Sequence, residues 1–67
     1  MEKQHTIAEW MQIKGMSKER VADFCGVTTV TVTNWQKDPK RMHIGYAMKL
    51  ADCFDVPVTR IDFMLKN

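Results

Sequence analysis

The sequence contains no uninterrupted apolar run near the roughly 20 residues that a membrane-spanning helix needs, so no membrane partner is expected. Its opening residues, MEKQH, lack both the apolar stretch and the small-residue cleavage site of a secretory leader. Cysteine is scarce. Cys25 and Cys53 have no second thiol two residues away and no histidine at ligand spacing, which excludes the familiar zinc arrangements. A small secreted scaffold carries more disulfides than one pair can form, so both thiols read as small buried hydrophobes and the chain as a cytoplasmic protein. Catalytic sets are missing as well. There is no glycine-rich phosphate loop, no Ser/His/Asp or Cys/His arrangement, and no pair of carboxylates in an apolar setting. No enzyme activity, metal, cofactor or small-molecule ligand is expected.

What is present suits one globular domain over residues 1–67. The chain is 45% hydrophobic and 27% charged, without repeats, linkers or low-complexity stretches, which separates it from disordered sequences. The net charge of +2 is small, but it is localised. Residues 17–42 hold Lys18, Arg20, Lys37, Lys40 and Arg41 against Glu19, Asp23 and Asp38, and the flanking segments balance to zero. A basic stretch of this kind fits a polyanion binder, and equally an ordinary solvated surface of mixed sign.

Local signals define most of the elements. Thr6 with Glu9 three residues on is a capping box. Ile7, Trp10 and Met11, extended by Ile13, then form an apolar side that ends at Gly15, giving a helix over Ile7–Lys14. Ser17 caps a second helix, Lys18–Cys25, whose stripe is Val21, Phe24 and Cys25 with Ala22 beside it, and Gly26 stops it. Ile44, Ala47, Met48, Ala51 and Phe54, flanked by Leu50, predict a helix over 43–54. Thr59 caps a short last helix carrying Ile61, Met64 and Leu65. His5 is near a terminus expected to fray. His43, near the start of the fourth helix, reads as a surface or backbone-contacting residue, and Trp10 and Trp35 read as core anchors.

The segment over 28–33, TTVTVT, is ambiguous. Alternating β-branched residues read locally as a strand, and a helix there loses side-chain freedom at every position. Against this, Val27, Val32 and Trp35 fit a helical core face, and the chain continues without a break to the Asp38-Pro39 stop.

Val21, Ala22, Cys25, Gly26, Val27, Val32 and Trp35 together resemble the helix-turn-helix of the phage repressor and Cro-type (XRE) family. Residues 49–56 are similar to that family's fourth helix and the hydrophobic turn after it, so the likeness runs over about 7–65. It implies an all-α, lambda-repressor-like bundle of about five short helices, with the helix-turn-helix at about 18–37. The third segment becomes a helix, Thr29–Lys37, with Val32 and Trp35 facing inward over Ala22. The departures are Gln36 where the family commonly has Glu, Asp38-Pro39 where a glycine-containing turn is common, and Lys18 where Gln is frequent.

By the same resemblance, Thr29, Val30, Thr33, Asn34 and Lys37 read base edges in the major groove. Asn34 can pair bidentately with adenine, while Val30 and the threonine methyls suit the thymine methyl. Ser17, Lys18, Thr28, Lys40 and Arg41 contact phosphates. The implied function is a sequence-specific transcriptional regulator, a Cro-like repressor of a palindromic operator in double-stranded DNA. A single small module buries little surface, so the resemblance further implies a homodimer, formed in solution or only on DNA, with Val58, Phe63, Met64 and Leu65 as candidate contacts. The alternative keeps the fold but acts on another protein, as an antirepressor or antitoxin-like module.

Overall fold

The computed structural model describes residues 4–64. Its elements are α1 (Ile7–Lys14), α2 (Lys18–Cys25), α3 (Thr29–Lys37) and α4 (Ile44–Phe54), with 3-10 turns at Pro39–Arg41 and Val58–Arg60. The described residues are thus all-helical, with four α-helices. Only an isolated parallel bridge, His5 to Ile61, interrupts the pattern.

Caps explain where each helix starts and stops. Thr6 Oγ1 accepts from the Glu9 amide at 3.2 Å and Glu9 Oε1 accepts from the Thr6 amide at 2.8 Å, closing the capping box. Ser17 accepts from the Arg20 amide, and Thr28 from the Thr31 amide. Gly26, at φ 72°, ends α2 in the left-handed region, and the Val27 amide reaches back to the Ala22 carbonyl at 2.9 Å. Only Gly26, Val27 and Thr28 separate α2 from α3. His43 caps α4 through Nδ1, which accepts from the Gly45 amide at 3.1 Å.

The 28–33 run is helical despite its composition. Val32 and Trp35 are buried in the core shared with Val21, Ala22 and Cys25, and Val27 packs against it. Hydrophobic burial of roughly 1.5–3 kcal/mol per large side chain outweighs the few tenths per residue lost to β-branched propensity. The Thr33 hydroxyl donates to the Thr29 carbonyl at 3.1 Å, so a polar group that competes with helix elsewhere is absorbed along this one.

Two expectations are corrected. The last helix is absent from the described residues. After the 3-10 turn Val58–Arg60 the chain is extended at Ile61, because its neighbours are engaged elsewhere. The His5 amide donates to the Arg60 carbonyl at 3.1 Å and the Asp62 amide to the His5 carbonyl at 2.8 Å. Those long-range bonds remove the backbone groups a helix there would use. Leu65 lies outside the described residues. The same bonds hold His5 in place, and its ring meets Trp10 edge-on at 5.0 Å.

The apolar faces of the outer helices are also rotated. α4 buries Ala47, Leu50, Ala51, Cys53 and Phe54 but leaves Ile44 69% and Met48 52% exposed. On α2, Ala22 is inside and Phe24 outside, and on α1 Ile13 is exposed.

Both cysteines are free and buried. Burial, more than any neighbouring charge, pushes their thiols above the ordinary value. They therefore pack as neutral hydrophobes, with Cys53 Sγ 3.6 Å from Met16 Sδ.

Candidate nucleic-acid interface

α3 divides cleanly by side. Val32 and Trp35 go in, while Thr29, Val30, Asn34 and Lys37 are exposed and Thr33 is half-buried. Thr29, Thr33 and Lys37 follow each other at i, i+4, i+8, and Val30 and Asn34 form a parallel row, so all five share one helical surface. Val30 is 67% exposed, which places an aliphatic side chain in solvent at the centre of that row. The hydroxyl hydrogen of Thr33 is already given to Thr29, leaving its oxygen as an acceptor. Asn34 keeps both an amide donor and a carbonyl acceptor on the exposed surface, the pair that a bidentate contact with adenine needs.

The residues expected at phosphates occupy three places. Ser17 and Lys18 open α2, Thr28 opens α3, and Lys40 and Arg41 lie in the 3-10 turn that follows α3. Ser17 and Thr28 accept from backbone amides as caps and retain their own O–H donors, although Thr28 also sits 3.1 Å from the Thr31 hydroxyl. Among the described residues Lys18, Lys37 and Lys40 form no ion pair, so each can give its full charge to an external anion.

Arg41 differs from its neighbour. Its guanidinium Nε is 3.1 Å from Asp38 Oδ2. A surface pair of this kind contributes about 0–1 kcal/mol, small enough for a phosphate to displace the carboxylate. Lys40 and Arg41 therefore do not form a matched pair of unengaged cations.

One feature escaped the sequence reading. Tyr46 packs on Trp35 with ring centroids 5.5 Å apart, and His43, Gly45, Tyr46 and Lys49 line an open cleft of about 390 Å³. The cleft carries a phenol, an imidazole and an ammonium group, which together can donate to anionic or hydroxylic oxygens. The signal was available, since Tyr46 and Lys49 are three residues apart on one side of α4, but the sequence reading gives Tyr46 no part and takes Lys49 only within the stretch 49–56.

Among the described residues no helix is long and apolar enough to cross a membrane, and no group of three or more His, Cys, Asp or Glu could hold a metal ion. Comparison with known proteins gives no match: no family model, no curated sequence and no solved structure aligns with this chain.

Proposed function

We propose that this chain is a sequence-specific DNA-binding regulator, a Cro-like repressor whose helix-turn-helix covers residues 18–37. The observation that carries the reading is the outer surface of α3, where exposed Val30 stands beside Thr29, Asn34 and Lys37 while Val32 and Trp35 anchor the opposite side. Methyl groups for thymine and an amide for adenine are the mixture that major-groove readout uses. Ser17, Lys18, Thr28, Lys40 and Arg41 supply the positioning contacts to phosphates. The protein acts as a homodimer on a two-fold operator and needs no cofactor.

Selection from a randomised duplex pool tests this reading, with a two-fold symmetric consensus as the expected result. Four or five phosphate contacts per subunit give a log affinity against log salt slope near −4. Absence of salt-sensitive duplex binding would remove the proposal.

A second reading draws on the apolar exposure of Ile44, Met48 and Phe24, which suits a protein-binding module of the same fold, antirepressor or antitoxin-like. The same salt titration separates the two, because a protein-directed module shows no salt-dependent affinity for random duplex.

A further inference from the structure

Three sulfur-bearing residues that the outer surface of α3 does not use come together from separate elements. Met16 lies in the turn before α2, Cys25 is the last residue of α2, and Cys53 is the last but one of α4. Cys53 Sγ is 3.6 Å from Met16 Sδ. Both cysteines belong to one core cluster, and Met16 packs against it. The two thiols are also within electrostatic reach of each other. Burial raises the Cys25 thiol most, and the charge of an ionised Cys53 raises it further. The sulfurs are not sealed in. Met16, Arg20, Asp23, Phe24 and Cys53 line an open cleft of about 430 Å³. Cys53 is 7% exposed and Cys25 1%, so the cleft reaches Met16 and Cys53 first and Cys25 beyond them.

We infer that Met16, Cys25 and Cys53 form a binding site for a soft monovalent metal ion, Cu(I) in chemical class, entered through this cleft. It goes beyond the reading under Proposed function and does not depend on it. Thiolate and thioether sulfurs select Cu(I), whereas hard cations prefer oxygen and structural zinc takes four ligands. Only two of the three residues are of the kinds that hold most metals, the third donor being a thioether. No histidine lies on the cleft and Asp23 is its one carboxylate, so the shell on offer is three sulfurs. A trigonal ion with metal–sulfur bonds of about 2.3 Å holds its sulfurs roughly 4 Å apart. The Met16–Cys53 separation is already close to that spacing, so this edge of the shell needs little rearrangement. Binding is ligand exchange without oxidation. Each thiol releases its proton to solvent, and the two thiolates and the thioether bind the ion, leaving a single net negative charge. Burial opposes that charge, while Arg20 at Cys53 and Lys49 at Cys25 offset it. The ion ties the turn before α2, the end of α2 and the end of α4 to one point.

The test uses the full chain, reduced and kept free of oxygen, with Cu(I) supplied on a coloured chelator. Transfer of one equivalent to the protein is expected, with a thiolate-to-copper charge-transfer band in the ultraviolet. An ion bound by the folded chain alone raises its melting temperature, so Cu(I) is expected to raise it and Zn(II) to leave it unchanged. Loss of an outer-shell partner costs about 10- to 100-fold in metal affinity. Met16→Leu, which removes a ligand but keeps an apolar side chain of similar volume, is therefore expected to weaken binding at least tenfold. Cys53→Ala is expected to abolish the transfer, and circular dichroism verifies that both variants are folded. The inference is overturned if the chelator keeps the metal, or if either folded variant binds like the parent chain. It is equally overturned if Zn(II) stabilises the chain as much as Cu(I), or if Cu(I) lowers the melting temperature, which would place the better thiol ligands in the unfolded chain.

Discussion

α3 and α4 are joined by one short turn and differ in how they are held. α4 buries Ala47, Leu50, Ala51, Cys53 and Phe54, whereas α3 buries Val32 and Trp35 alone. Five of the nine α3 residues, Thr29 to Thr33 in order, are β-branched. α4 contains residues of higher helix propensity such as Ala47, Met48, Lys49, Leu50 and Ala51. α4 is thus a helix by composition and packing together, and α3 is a helix by packing against its own composition. A segment of the second kind keeps its outer surface unconstrained by folding, which leaves Thr29, Val30 and Asn34 open to selection for another purpose.

The strongest break of this contrast is Trp35→Ala. Large-to-small changes at a buried aromatic cost about 3–5 kcal/mol, comparable with the whole stability of a domain of this size. Urea denaturation followed by circular dichroism is expected to show a chain largely unfolded at 25 °C. Cys53→Ala on α4, which removes a single buried sulfur, is expected to leave a cooperative transition. A Trp35→Ala variant within 1 kcal/mol of the parent chain would mean that α3 does not depend on its two anchors.

Next in size is Asn34→Ala, which addresses the outer surface of α3. It is expected to cost roughly 1–3 kcal/mol of binding to a duplex recovered by selection and to relax discrimination at one base pair, with the melting temperature little changed. Equal loss on every duplex, measured by competition titration, contradicts a base-reading role for the amide.

How much was legible follows the same division. Thr6, Glu9, Gly15, Ser17 and Gly26 act through their nearest neighbours, so the ends of α1 and α2 could be read from the sequence. The helical state of α3 could not, because Val32 and Trp35 are stabilised by Ala22 and other residues distant in the pattern, and the family likeness supplied what local signals lacked. α4 was found but its face was misread. Its only charged residues are Lys49 and Asp52, too few to mark an outer stripe, so Ile44 and Met48 looked as suitable for the core as Leu50 and Cys53. The end of the chain was misread for a different reason: His5 captures the backbone on both sides of Ile61, and pairing between residues so far apart leaves no periodic trace. Of the candidate site, the five α3 residues were legible once the helix was assumed. The contact of Tyr46 with Trp35 was not, since it depends on how two helices meet.

Thr28→Ala sharpens the comparison at the N-terminus of α3. Thr28 accepts from the Thr31 amide at 3.3 Å, and loss of such a cap costs about 1 kcal/mol. The capping box of α1 is the control, because Thr6→Ala removes a cap of the same type far from the proposed interface. Thermal denaturation is expected to show similar losses for the two variants, while duplex affinity falls only for Thr28→Ala. Similar affinities for both folded variants would confine Thr28 to a structural part.

The smallest effect is expected at the turn between the two helices, where Lys40 stands without an ion pair and Arg41 is engaged by Asp38. Lys40→Ala is expected to weaken binding to all duplexes alike and to flatten the salt slope by about one, since one fewer phosphate is neutralised. Arg41→Ala is expected to do less, because the parent arginine must release Asp38 before it can meet a phosphate. Affinities over a range of salt concentrations decide the matter. An unchanged slope for Lys40→Ala would show that this turn stands clear of the phosphate backbone, and would leave α3 to bind through its own outer row and the start of α2.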